Sequence, residues 1–180
     1  MALDVSVATR DGEIVSSIKL RPAPPCQIVI FGASGDLTHR KLIPALFDLF
    51  RAGLLPKQFS VLGFSRSQLS NEDFRRTARE GLEHYGSHGP VSDADWEQFS
   101  HYLHYMSGQF DQPASYETLR ERMENIDAAH GTSGNRIFYL ATPPELFQVI
   151  TAQLGAAGLP SSSGFARMVI EKPFGVNLQT

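Results

Sequence analysis

The sequence predicts an α/β fold: a doubly wound, mainly parallel sheet with helices on both faces. Three observations predict it. From residue 26 onward, short apolar runs alternate with segments of helical periodicity. The runs are continuously apolar, as in strands covered on both faces, which implies right-handed crossovers and a parallel sheet. The first run ends directly in a small-residue turn that opens a helix, Phe31-Gly32-Ala33-Ser34-Gly35-Asp36.

Composition sets the outer bounds. A chain of 180 residues with 42% apolar and 19% charged residues is globular and long enough for a sizeable core. No apolar run reaches the ~18 residues that suggest a membrane span, and the first residues lack a secretory pattern. The expectation is a cytoplasmic protein without a membrane partner. A net charge of -3 argues against a nucleic-acid partner. The single cysteine, Cys26, excludes an intrachain disulfide framework and any multi-cysteine metal site.

Residues 1–25 read as an N-terminal tail, closed by Arg21-Pro22-Ala23-Pro24-Pro25, whose prolines favour an extended linker. One domain then runs over 26–180. Cys26–Phe31 reads as a buried strand rich in β-branched residues. Leu37–Ala52 carries Leu42, Ala45, Leu46 and Leu49 on one helical face, with Gly53 as a stop. Phe59–Phe64 is the next strand. Ser70-Asn71-Glu72-Asp73 resembles a capping box and opens a helix to about Tyr85.

After a loop at Gly86–Val91, Ser92-Asp93-Ala94-Asp95 opens a shorter helix around Trp96. A strand follows at Leu103–Met106, then a helix over 114–129 that stops near Gly131. Arg136–Ala141 is a strand. Thr142-Pro143-Pro144-Glu145 has capping-box spacing with prolines in the first turn of a helix that ends near Gly155–Gly158. Met168–Ile170 is the last strand. Residues 175–180 carry neither a stop signal nor a further strand, and the expectation is a piece of a longer protein.

The glycine turn is the sharpest local feature. Gly32 permits a tight turn, Gly35 permits close approach of a ligand, and the helix N-terminus that follows favours an anion. The spacing is G-x-x-G, with Thr38 where the dinucleotide fingerprint has its third glycine. The rival reading is an ordinary glycine-rich βα turn. His39, Arg40 and Lys41 place cations where the helix dipole disfavours them. Either a polyphosphate offsets this, or the side chains point to solvent.

Coenzyme choice is read at the end of the second strand of such a unit. An acid there accepts from a ribose hydroxyl, and an arginine takes a 2′-phosphate. Here Ser65-Arg66-Ser67 follows the strand, and no acid occurs until Glu72. Arg66 offers a planar fork for a phosphate, and Ser65 and Ser67 offer hydroxyls.

The segment Gly32-Ala33-Ser34-Gly35-Asp36-Leu37-Thr38, followed by Arg40-Lys41-Leu42, resembles the coenzyme loop of the glucose-6-phosphate dehydrogenase family. Gly63-Phe64-Ser65-Arg66, the stretch Gly134–Pro144, and Glu171-Lys172-Pro173-Phe174-Gly175 resemble further segments of that family. These segments stand in the family's order at compatible spacing, and the resemblance covers residues 27–180.

The resemblance implies a Rossmann-like coenzyme domain, which the family pairs with a larger α+β domain absent from this chain, in a homo-oligomer. It implies NADP as cofactor and glucose 6-phosphate as partner. The reaction is hydride transfer from C1 to NADP+, giving 6-phosphoglucono-δ-lactone, the first step of the pentose phosphate pathway. Gly32, Ser34, Gly35, Asp36 and Leu37 would wrap the pyrophosphate, with Ala33 and Thr38 in the same loop. Arg66 would bind the 2′-phosphate, Gln109 and Phe110 would lie near the adenosine, and Lys172 would touch both nicotinamide and sugar. The family's catalytic histidine belongs to an Arg-Ile-Asp-His-Tyr-Leu-Gly-Lys segment that is expected beyond Thr180. No catalytic base is expected in this chain, and the isolated chain is expected to be inactive. The alternative is a non-catalytic NADP-binding or sensing module.

Lys172 has an argument of its own. It follows the last strand at the edge where open sheets bind ligands, and Pro173 restricts its backbone. Other candidates carry less. His101 and His104 lack further ligands, so no metal site is expected. Arg75, Arg76 and Arg79 are offset by Glu72, Asp73 and Glu80 on a solvated face. Phe47, Phe50 and Tyr85 read as core, and Cys26 as a small buried hydrophobe.

Overall fold

The computed structural model describes residues 3–10, 13–20, 23–86 and 89–171 of the chain. Its centre is a parallel sheet of β3 (Cys26–Phe31), β4 (Phe59–Ser65), β5 (Leu103–Ser107), β6 (Arg136–Leu140) and β7 (Ala166–Ile170). The spatial order is β5-β4-β3-β6-β7, with every neighbouring pair parallel. The chain winds outward from β3 to β5, then returns to lay β6 on the other side of β3. That reversal opens a crevice at the carboxyl ends of β3 and β6, where doubly wound sheets bind ligands.

Over β3 to β6 both sheet faces are covered, as continuously apolar strands require, whereas Ala166–Val169 of β7 are exposed. On one face Val29, Phe31, Leu62 and Phe64 pack under α4 (Pro113–His130) and α5 (Phe147–Ala156), through Tyr116, Leu119, Met123, Ile150 and Leu154. On the other, Ile30, Val61, Leu103 and Tyr105 pack under α1 (Ile43–Arg51), α2 (Asn71–Tyr85) and α3 (Asp93–Ser100). Ile43, Phe47, Phe74, Ala78, Leu82 and Phe99 are buried apolar residues of those helices. Edge-on aromatic pairs such as Phe31–Phe64, 5.3 Å between centroids, lock the first layer. Arg136 is buried at the start of β6 because its guanidinium donates to Asp127 Oδ2 and the Leu159 carbonyl.

The elements follow the sequence signals with identifiable exceptions. The Ser70 capping box forms as read, with Asp73 completing it, and Gly131 closes α4 in the left-handed conformation. Residues 1–25, read as an extended tail, contain an antiparallel ribbon of β1 (Leu3–Arg10) and β2 (Glu13–Leu20), a sheet of its own. The signal was present: Asp11-Gly12, a hairpin dipeptide, separates segments rich in β-branched residues.

The helix read over 37–52 starts at Asp36 and passes through a π-helical turn, Thr38–Leu42, ahead of α1. No capping box forms at Thr142. Pro143 takes the cap position without a side-chain bond, a 3-10 turn follows at Pro144–Leu146, and the Thr142 hydroxyl stays buried without a partner. Tyr85 is not core: it is 43% exposed, with the Arg40 guanidinium 5.1 Å from its ring centroid. Cys26 is buried, and burial pushes its thiol pKa up, which keeps it a protonated small hydrophobe.

Candidate functional site

The crevice begins where β3 ends. Gly32 turns the chain with φ +85°, and its N–H donates to the Phe64 carbonyl at 2.9 Å. A Cβ on Gly32 would stand 2.4 Å from the Ala141 carbonyl oxygen, so the position demands glycine by conformation and by space. The Gly35 N–H closes the turn onto the Gly32 carbonyl at 2.9 Å. Thr38 is fully buried and donates its hydroxyl to the same carbonyl at 3.4 Å. A threonine thus ties the helix start to the turn where the fingerprint has a glycine. Helical structure starts at Asp36, and the first amides of a helix lack intrahelical acceptors and carry partial positive charge.

Three loops complete the cleft, about 190 Å³ in volume: Ser65-Arg66-Ser67 after β4, Phe110 after β5, and Ala141-Thr142-Pro143 with Leu146 after β6. Hydroxyls join the first loop to the turn. Ser65 Oγ donates to Ser34 Oγ at 2.9 Å, and Ser34 Oγ is 2.9 Å from Ser67 Oγ. The exposed Arg66 holds its guanidinium carbon 5.8 Å from the Phe110 ring centroid. Among the described residues it has no ion-pair partner. A cation with no ion-pair partner among the described residues, beside the first amides of a helix, fits a phosphorylated ligand, and the unpartnered Thr142 hydroxyl offers a further polar contact.

The sequence-predicted residues divide by position. Gly32, Ser34, Gly35, Arg66 and Phe110 line the cleft together. Ala33 is buried among the residues between α1 and α2, Thr38 braces the turn, and Leu37 is half-buried. Asp36 is exposed and pairs with Arg40 at 3.2 Å. Gln109 neighbours the cleft and is fixed by its N–H donating to Ser115 Oγ at 3.0 Å. Lys172 lies outside the described residues. Glu171, just before it, accepts from the Tyr139 hydroxyl, whose pKa is pushed up to about 12 by burial first and then by that carboxylate.

Sequence reasoning missed Tyr105, whose hydroxyl reaches Ser65 and Ser67. It also missed His130 as the third ring beside His101 and His104. Among the described residues no cluster of three or more metal-ligating side chains could hold an ion, and no helix is long and apolar enough to cross a membrane.

A larger opening, about 620 Å³, lies by the start of β6 and is lined by Arg120, Glu124, Asp127 and Arg136 among others. Its charges balance: Arg136 is held by Asp127, Arg120 donates to the Ala157 carbonyl, and Glu124 stands in the same lining, so an anionic ligand would meet carboxylates there.

A family model described as "Glucose-6-phosphate dehydrogenase, NAD binding domain" matches residues 29–180. The glucose-6-phosphate 1-dehydrogenase of Chlamydia muridarum is 41% identical over 166 residues, which are 89% of this chain and 33% of that protein. Glucose-6-phosphate 1-dehydrogenase 2 of Mycobacterium tuberculosis is 40% identical over 160 residues, 88% of this chain and 31% of that protein. A solved structure described as "Glucose-6-phosphate dehydrogenase in complex with its substrate glucose-6-phosphate" superposes with a TM-score of 0.78 at 37% identity. The match covers 88% of this chain and 32% of that one. The glucose-6-phosphate 1-dehydrogenase of Mycobacterium avium gives 0.73 at 29% identity, over 87% of this chain and 32% of that one. The chain spans about a third of the length of the curated relatives it matches.

Proposed function

This chain belongs to the glucose-6-phosphate dehydrogenase family through its coenzyme-binding domain, and we propose that it is the NADP-binding part of an enzyme that oxidises glucose 6-phosphate at C1. The observation that carries the coenzyme reading is Arg66: a cation at the end of β4, lining the cleft and unpaired among the described residues. No acid stands between β4 and Glu72 to select a free ribose hydroxyl.

The chain's residues then divide the work of holding the coenzyme. Gly32, Ser34 and Gly35, with the first helical amides from Asp36, take the pyrophosphate. Arg66, flanked by the Ser65 and Ser67 hydroxyls, takes the 2′-phosphate. Gln109 and Phe110 border the adenosine. Lys172, two positions after β7 in the sequence, is assigned to the nicotinamide and the sugar on the family likeness. When bound, the nicotinamide supplies the hydride acceptor for the sugar's C1. No histidine lines the cleft among the described residues, and the base is assigned to the part of the family's length that these 180 residues do not span. The family likeness further supports a homo-oligomeric, cytoplasmic full-length enzyme.

Calorimetry on the full-length protein tests the reading. NADP+ should bind more tightly than NAD+, and Arg66→Ala should abolish most of that preference. An equal loss for both coenzymes would overturn the role of Arg66.

A further inference from the structure

We propose that Tyr105 is a specificity-positioning residue: its hydroxyl, bonded to both neighbours of Arg66, fixes that guanidinium for a 2′-phosphate. The proposal rests on the coenzyme reading above and adds a residue from a different strand.

Tyr105 lies in β5, in register with Gly63 of β4. Its ring is 5% exposed and packs against Phe74, 5.2 Å between centroids. The phenol oxygen is the only polar atom of that side chain, and it emerges beneath the loop after β4. There it donates to the Ser67 carbonyl at 2.7 Å and accepts from Ser65 Oγ at 2.6 Å, the one Ser65 proton being shared between the phenol oxygen and Ser34 Oγ. The Ser67 N–H turns back to Ser65 Oγ at 3.3 Å. The segment Ser65-Arg66-Ser67 is thus wrapped around one oxygen, with both flanks of the arginine bonded to it.

The strand that carries the phenol is itself fixed, since the Tyr105 N–H donates to Asn71 Oδ1 at 2.7 Å. The network continues into the glycine turn, because Ser34 bonds both Ser65 and Ser67. Burial raises the Tyr105 pKa, so the oxygen keeps its proton and remains a donor. The result is a hydroxyl relay that couples the loop for the pyrophosphate to the loop for the 2′-phosphate.

An arginine on a free surface loop spends conformational entropy to meet a ligand, whereas a loop pinned at both flanks has less to lose. Phenylalanine keeps the buried ring and removes only the oxygen. Its effect should therefore fall on ligands that use Arg66, and the fold should be spared.

The test is calorimetry on the full-length protein with NADP+, NAD+ and adenosine 2′,5′-bisphosphate. Tyr105→Phe should weaken NADP+ and the bisphosphate by about tenfold, the scale of one or two hydrogen bonds, and leave NAD+ within about twofold. Its thermal midpoint should match the parent's. Equal weakening of all three ligands, or of none, overturns the proposal. Arg66→Ala is run in parallel. If it also fails to separate NADP+ from NAD+, the coenzyme reading falls; if it separates them and Tyr105→Phe does not, the Tyr105 proposal alone falls. Should Tyr105→Phe not fold, Asn71→Ala frees the Tyr105 N–H without touching a residue of the cleft, and must give a loss selective for NADP+ and the bisphosphate.

Discussion

The carbonyl oxygen of Ala141 stands 2.4 Å from the point where Gly32 would carry a Cβ. This approach brings the end of β6 against the turn after β3 and closes the crevice at the switch point of the sheet. Gly53 makes an instructive contrast. Its φ of +65° is as left-handed, yet nothing lies within 4 Å of its would-be Cβ. Gly53→Ala should cost about 1–2 kcal/mol, the price of conformation alone. Gly32→Ala adds a backbone collision and should cost more than about 3 kcal/mol, or part β6 from the turn. Urea unfolding of both variants measures the difference. Equal midpoints would show that the Ala141 approach is soft.

The pair His104–His130 predicts a stability that falls in mild acid. Their Nε2 atoms are 2.8 Å apart, so one ring must accept and cannot carry both protons. Burial pushes the His104 pKa down to about 4, helped by His130, Arg122, Arg75 and His101; burial and His101 lower that of His130. Unfolded histidine titrates near about 6.5. Between that value and 4 the unfolded chain binds more protons than the folded one. The contribution is therefore whole above about pH 6.5 and is lost as pH falls toward 4. Solvent reaches the site, and the screened loss is about 1–2 kcal/mol. Urea midpoints from pH 7.5 to 4.5 should fall less steeply in His104→Gln than in the parent. Parallel curves would show that the pair is not the origin.

The sequence displays the parts of this fold that repeat locally. The apolar runs of β3, β4 and β6, the Ser70 capping box and Gly131 each announce themselves within a few residues. The glycine turn and Arg66 are equally local, because the first is set by φ and the second by the end of a strand. Tyr105 is not legible in this way. It reaches Ser65 only because β5 pairs with β4 with Tyr105 beside Gly63, a register that no local pattern states. The π-turn at Thr38–Leu42 is hidden for a similar reason. It lies against α2, where a Cβ on Gly81 would stand 2.7 Å from the His39 carbonyl, a contact between residues 42 positions apart. The histidine group depends on the end of α4 meeting the start of β5, and so spacing along the chain could show only His101 and His104.

The β7 edge predicts that these 180 residues, prepared alone, associate. Met168 and Val169 are 40% and 37% exposed on a strand that, among the described residues, has β6 on one side only. An uncovered apolar edge strand is a template for pairing and for aggregation. Sedimentation at increasing concentration should show growth of larger species, and Met168→Lys should suppress it. A monodisperse monomer at every concentration would show that β7 is protected.

These 180 residues alone should not oxidise glucose 6-phosphate at a measurable rate, even where they bind the coenzyme. Hydride loss from C1 requires the C1 hydroxyl to give up its proton to a positioned base, which contributes about 10²–10⁴-fold. The cleft among the described residues offers an arginine, hydroxyls and backbone groups, none of which is a base at neutral pH. The lysine assigned to the sugar under the proposed function, Lys172, is as an ammonium a donor only and supplies no acceptor for that proton. Holding the sugar beside the coenzyme contributes about 7–11 kcal/mol more, and that needs groups on both sides of the ring. The cleft here is about 190 Å³ and is walled by the coenzyme loops alone. Together these deficits should place turnover below detection. The measurement is NADPH absorbance with saturating glucose 6-phosphate. Turnover within about tenfold of a full-length relative, abolished by Lys172→Ala, would place the chemistry in this chain and refute the assignment of the base to another part of the protein.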